Sequence, residues 1–229
     1  MSNVLWKHVG DQKIFLGYKP RISFICCVND DEVFNSTLLA SLDNTNPHVE
    51  LIKVTKAASV AEAFNKNIQN VSGDIVVLVH QDVWIPQYWT IRMETIYDMV
   101  SNSCNIGVLG VAGCVTSAGL QYNNVVHREY LLYNEPMVFP KQVDSLDELI
   151  LIFPSVTNIR LHGELGWHMY GADACLQATR GGRTNLVVSN PVWHDTKRTA
   201  LDEAFYASVE AFKKIYPNQP IKTTCINII

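Results

Sequence analysis

Residues 75–79 read Ile-Val-Val-Leu-Val, an unbroken apolar run, and no other stretch limits the fold as much. The run is too short to cross a membrane and offers no polar face to solvent. It therefore reads as a strand buried on both sides, as in a parallel sheet covered by helices. Gly73 and Asp74 lead into it, His80, Gln81 and Asp82 follow at once, and Pro86 is placed to open a helix. Polar side chains just past the carboxyl end of such a strand lie where open α/β sheets take their ligands. His80 and Asp82 are thus the first candidates for a site, weighed against a simpler role in solvating a turn and capping a helix.

The same logic extends upstream. Residues 21–28 form a good buried strand ending in Asn29-Asp30-Asp31-Glu32, acceptors suited to capping the helix that carries Phe34, Leu38 and Leu42. Residues 49–54 make another strand. Ser59 and Glu62 then form a capping box for a helix with Val60, Phe64, Ile68 and Val71 on its core face and Asn65 beside that stripe. Strand, helix, strand, helix, strand predicts right-handed crossovers and an α/β fold, with a mostly parallel central sheet flanked by helices. No G-x-G-x-x-G follows the first strand and no G-x-x-x-x-G-K occurs, so neither an ordinary dinucleotide site nor a P-loop is supported.

Downstream, residues 86–100 are amphipathic, with Trp89, Met93, Ile96, Tyr97 and Val100 on one face, and residues 106–111 give a fourth strand. Residues 114–140 are polar, aromatic and turn-rich, with Tyr122, Tyr130 and Tyr133, and read as an insertion or hairpin over the ligand side. Residues 143–153 read as a strand entering the core. Residues 161–178 have helical period, with Leu165, Met169, Ala172 and Leu176 on one face and Asp173 on another with Tyr170 and Gln177. A short strand at 185–188 leads to His194 and Asp195, and a last helix over 199–216 carries Leu201, Phe205, Ser208, Phe212 and Ile215. Residues 1–20 say least, with Ile14-Phe-Leu as an edge strand. Without repeats or a linker, the expectation is a single domain.

Composition narrows the partners. A formal net charge of -4 and no Lys or Arg run argue against nucleic acid or an anionic membrane as the main partner. A phosphate-bearing ligand stays open, because a metal ion can supply positive charge. No apolar run suggests a transmembrane segment and the N-terminus lacks the core of a secretory signal. Six cysteines without a C-x-x-C pair fit small buried hydrophobes, which predicts a reducing, cytoplasmic setting.

Four segments together resemble the nucleotide-sugar-dependent glycosyltransferases of the GT-A fold, particularly small family-2-like members. Arg21-Ile-Ser-Phe-Ile-Cys-Cys-Val-Asn-Asp30 is similar to that family's first strand, whose end meets the nucleobase. Residues 59–74, with Asn65 and Ser72-Gly73-Asp74, resemble the helix before the metal-motif strand. His80-Gln81-Asp82 stands where the family carries D-x-D. Gly166-Trp-His-Met-Tyr-Gly-Ala-Asp173, then Pro191-Val-Trp-His194, resemble the acidic catalytic helix and the later metal-binding histidine.

The resemblance implies a Rossmann-like, nucleotide-diphospho-sugar transferase fold, with residues 20–113 as the nucleotide-binding half and 114–216 as the acceptor and catalytic half. It implies a donor, commonly a UDP-sugar, contacted by Val28, Asn29, Asp30, Asn65, His80, Gln81 and Asp82. It implies Mn²⁺ or Mg²⁺ at Asp82 and His194, stabilising the diphosphate leaving group. Asp173 would be the general base of a single inverting displacement onto an acceptor hydroxyl, with Tyr170 and His168 lining the pocket and Asp147 and Glu148 nearer the sugars. The acceptor, whether saccharide, lipid-linked or protein, is not implied. His80 in place of aspartate removes one carboxylate, so a weak or inactive nucleotide-binding module and a metal-dependent hydrolase using His80, Asp82, His194 and Asp195 are the alternatives.

Overall fold

The computed structural model describes residues 8–9, 12–13, 21–43, 49–127, 131–133, 140–195 and 200–228. The edge strand expected at residues 14–16 and Tyr130 lie outside these. A short antiparallel ladder pairs His8–Val9 with Gln12–Lys13. From there the chain alternates as its apolar periodicity requires. β1 (Ile22–Cys27) is followed by α1 (Asp31–Phe34), a π turn (Asn35–Leu39) and α2 (Ala40–Asp43), then β2 (Val49–Val54) and α3 (Val60–Asn67). β3 (Ile75–His80) and β4 (Val83–Trp84) precede α4 (Trp89–Ser101). Next come β5 (Ile106–Gly110), β6 (Ala112–Val115), β7 (Leu120–His127) and β8 (Leu131–Tyr133). β9 (Lys141–Gln142), β10 (Ser145–Leu146) and β11 (Ile150–Pro154) lead to a 3-10 turn (Gly163–Leu165) and α5 (Tyr170–Arg180). β12 (Thr184–Val187), β13 (Val192–His194), α6 (Glu203–Ile215), β14 (Ile221–Lys222) and β15 (Asn227–Ile228) complete the order.

The central sheet runs β9-β12-β5-β11-β3-β1-β2. β1 is parallel to β2 and β3, and β12 is parallel to β5, whereas β11 is antiparallel to both β3 and β5 and β9 is antiparallel to β12. The sheet is therefore mixed, with β2, β1, β3, β5 and β12 sharing one direction. Burial on both faces follows the alternation within each strand. Ile22, Phe24, Ile75, Val77 and Val79 pack with Phe34, Leu38, Leu42, Trp89 and Met93 on one side. Ile25, Val76 and Leu78 pack with Val60, Phe64, Ile68, Phe153 and Ala174 on the other. A second sheet, β10-β6-β7-β13-β4 with β8 on β7, stands beside the carboxyl ends of the central strands.

Several expected elements shift. Residues 143–153 are not one strand. β10 pairs with β6 in the second sheet, only β11 enters the core, and the chain turns at Asp147 and Glu148 between them. Residues 161–178 are not continuously helical: α5 begins at Tyr170, after Met169 in a left-handed conformation with φ 61°. α4 likewise begins at Trp89 after Tyr88 at φ 65°, and not at Pro86. Leu201 precedes α6 and is exposed, because Asp202 caps the helix by accepting from Phe205 N at 2.8 Å. The capping box at α3 forms as expected, Glu62 N donating to Ser59 Oγ at 3.1 Å and Ala58 N to Glu62 Oε2 at 2.6 Å.

Candidate active site

Backbone pairing alone brings Asp82 and His194 together. β4 and β13 pair antiparallel with His194 opposite Val83, and Asp195 N donates to Asp82 O at 2.9 Å. β13 also lies parallel to β7 with His194 opposite His127, so the two imidazole rings sit 5.3 Å apart. β3 ends at His80, whose ring centroid is 6.0 Å from that of His194. One candidate ligand atom from each of His80, Asp82 and His194 lies within 4.8 Å of the others.

Two details make this trio resemble a cation site more than a hydrogen-bonded cluster. His194 Nε2 lies 3.3 Å from Asp82 Oδ1, yet it is buried and no hydrogen bond satisfies it among the described residues. Donor atoms that converge without bonding each other leave a place for a shared partner. Tyr170 OH donates to the carbonyl of Glu148 at 3.0 Å, so His80 Nε2, 2.8 Å from that hydroxyl, must be the donor of that pair. Neutral His80 then keeps its lone pair on Nδ1. Burial lowers the His80 pKa despite Asp82 nearby, which favours the neutral ring. For Asp82, burial acts to raise the pKa, but His194 and His80 outweigh it and hold the carboxyl below its ordinary value. One carboxylate and two imidazoles suit a transition-metal dication better than calcium.

Two hollows meet at His80. The first, of about 420 Å³, opens between the carboxyl ends of β1, β2 and β3 and is lined by Val28, Asn29, Thr55, Val60, Gln81, Asp82, Trp167 and Tyr170. Gln81 fixes its rim: Oε1 accepts from Asn29 N at 3.0 Å and Asp30 N at 3.1 Å, and Nε2 donates to Asn29 Oδ1 at 2.6 Å. Thr37 Oγ1, in the π turn, donates to the carbonyl of Gln81 at 2.5 Å. Trp167 is 45% exposed at the mouth and offers a flat ring face. The second hollow, of about 460 Å³, lies beyond His80 and His194. Asn123, His127, Asp147, Glu148, His168, Met169, Phe205 and Thr224 contribute to it.

Of the residues expected at the site, Val28, Asn29, His80, Gln81, Asp82 and His194 are brought to these hollows. Asp30 stays at the rim as the N-cap of α1, its Oδ1 accepting from Glu32 N and Val33 N. Asn65 is not at the site. Its amide bonds the backbone of Leu161 in both directions, Nδ2 to O at 2.8 Å and Oδ1 from N at 3.0 Å. Asp173 is also displaced. It is fully buried, lines neither hollow, and its oxygens accept from His162 N, Gln177 Nε2 and Tyr216 OH, with His162 Nδ1 at 2.8 Å. A carboxylate so engaged pins α5 to α6 and has no free path to a substrate hydroxyl. Asn123, His127 and Thr224 carry no motif, and only three-dimensional pairing places them here.

The chain matches the model of a glycosyltransferase-like family over residues 23–216, and it belongs to that family. No curated protein matches its sequence. Among solved structures it is similar to GalNAc-T7 with UDP, GalNAc and Mn²⁺, at 8% identity and TM-score 0.61, over 87% of this chain and 48% of that one. It is also similar to Staphylococcus aureus TarS 1-349 in complex with UDP-GlcNAc, at 12% identity and TM-score 0.59, over 88% of this chain and 68% of that one. The chain thus spans about half the length of the first. These likenesses establish the GT-A arrangement of the fold. Among the described residues no helix is long and apolar enough to cross a membrane.

Proposed function

We propose that this protein transfers a sugar from a nucleoside diphosphate donor, with UDP the favoured nucleotide, to an acceptor hydroxyl with inversion at the anomeric carbon. The observation that carries the reading is the convergence of His80, Asp82 and His194 at the junction of two hollows. In this reading residues 20–113 supply the donor side and 114–216 most of the acceptor side. The solved structures bound to UDP with Mn²⁺ and to UDP-GlcNAc support the same assignment by likeness.

The donor hollow takes the nucleoside. Its apolar floor, including Val28 and Val60, faces the base, and Trp167 closes over it. Asn29 and Gln81, already locked to each other, present amide groups at fixed positions. Asp82, His194 and His80 hold a divalent cation, with Mn²⁺ ahead of Mg²⁺ because nitrogen ligands are present. Such a cation supplies Lewis-acid stabilisation of charge on the departing diphosphate.

Calorimetry with UDP, GDP and ADP, with and without Mn²⁺, tests the reading. UDP is expected to bind tightest, and only weakly without the metal. Asp82→Ala and His194→Ala should each weaken the Mn²⁺-dependent part by about tenfold or more, the loss of a ligand or charged partner. If none of the three nucleotides binds the parent, the donor site is refuted.

A further inference from the structure

We propose that Glu148 is the general base for the acceptor and that the hollow it lines is the acceptor subsite for a polyhydroxylic substrate. This rests on the sugar-transfer reading above. Of the carboxylates lining that hollow, Asp147 and Asp202 each hold a neighbouring part of the chain. Asp147 accepts from Leu149 N on Oδ1 at 3.1 Å and from Thr224 Oγ1 on Oδ2 at 2.6 Å. Asp202 caps α6 through its Oδ1. Glu148 sits at the turn between β10 and β11, its carboxylate held by N–H groups at the start of α5 and its own carbonyl tied through Tyr170 OH to His80.

The position is built for a carboxylate. Gly171, in the first turn of α5, donates its N–H to Glu148 Oε1 at 3.3 Å. A Cβ at residue 171 would meet Glu148 Cγ at 3.1 Å and also run into the carbonyl oxygen of Leu146. The Leu146 carbonyl is what demands glycine at this position, which also lets the Gly171 N–H face the acid. Burial first, with the Asp147 charge adding, pushes the Glu148 carboxyl up to about 8.

A second observation points to the ligand. Asn123 lines the same hollow, is 6% exposed, and its Oδ1 has no hydrogen-bond partner among the described residues. A buried carbonyl oxygen of this kind is satisfied by a substrate hydroxyl, while Met169 and Phe205 offer an apolar face. Hydroxyl donors beside an apolar face describe a saccharide or related polyol.

The step balances without a co-reactant. Glu148 takes the acceptor hydroxyl's proton as that oxygen forms its bond to the anomeric carbon. The bond from that carbon to the diphosphate oxygen breaks, and its electron pair leaves with the nucleoside diphosphate.

The test uses the full chain with Mn²⁺, UDP-glucose, UDP-galactose and UDP-GlcNAc as donors, and methyl glucoside and glycerol as acceptors. Glu148→Gln should lower acceptor-dependent UDP release by about 10²–10⁴-fold, with UDP affinity unchanged within about twofold, the scatter expected of a substitution away from the donor hollow. Glu148→Ala with added azide, a nucleophile that needs no deprotonation, should regain turnover and yield the glycosyl azide. Unchanged release in Glu148→Gln overturns the assignment, and so does loss without azide rescue. A parent that binds UDP but turns over none of these pairs also overturns it, leaving the donor site standing. Failure to bind UDP at all refutes the underlying reading instead.

Discussion

Asp173 and Glu148 are both acids near the start of α5, and their surroundings assign them opposite work. Asp173 meets donors from His162, Gln177 and Tyr216, so its charge is satisfied inside the protein. Removing that charge strands several buried donors at once. Asp173→Asn should therefore cost about 2–4 kcal/mol of stability, a fall of roughly 5–15 °C in Tm for a chain of this size, with UDP affinity at low temperature little changed. Differential scanning calorimetry checks the first and calorimetric titration the second. Glu148 shows the reverse linkage. Its pKa is raised in the folded state from 4.5 to about 8, so the stability it contributes is full below about 4.5 and is lost as pH rises through about 8. The parent's Tm should therefore decline across that window more than that of Glu148→Gln. Parallel pH profiles for the two proteins would expose this idea as wrong.

At the scale of elements, the site depends on where strands end. Gln81 lies one residue past β3 and binds the chain just past β1, so the two strand ends cannot drift apart. Gln81→Ala should weaken UDP binding by about tenfold, the equivalent of one to two partly exposed hydrogen bonds, while Tm barely moves. Equal affinity in the variant would mean that the rim needs no tie. These same elements show what the sequence can and cannot display. The strand over residues 75–79 and His80 to Asp82 beyond it were legible, because burial on both faces demands an uninterrupted apolar run. His194 was legible through resemblance, but its partner strand β4, with only Val83 and Trp84, has no periodicity to read. Asp173 read as a pocket acid because spacing marks its face of α5 as polar, but His162 and Tyr216, brought in from the preceding loop and the end of α6, cover that face. Asn65 looked free beside its apolar stripe, yet an amide there can serve the backbone of a distant loop just as well.

Across the whole molecule, the two hollows rest on supports of different strength. The donor side is formed where β1, β2 and β3 of the main sheet end, and Ile22, Phe24, Ile75 and Val77 in those strands are fully buried. Part of the acceptor side comes from α6 and the β14–β15 hairpin, held by a separate cluster that includes Met169, Leu176, Phe205, Phe212, Ile221 and Ile228. Ser145 Oγ to Lys222 O at 2.5 Å, Lys222 N to Thr116 Oγ1 at 3.1 Å and the Thr224–Asp147 bond tie that hairpin to the second sheet. A satellite cluster opens at lower free energy than a central sheet, because fewer apolar contacts must be lost. Hydrogen exchange should then find amides of α6 and the hairpin less protected than those of β1 and β3. Adding UDP with Mn²⁺ should slow exchange chiefly at residues following β1 and β3, and leave α6 nearly unchanged. Such a pattern means that the donor can bind to a molecule whose acceptor wall is still opening and closing, which orders the encounter as donor first and acceptor second. Uniform protection, or slowing by UDP that is greatest in α6, would instead make the two hollows a single cooperative unit.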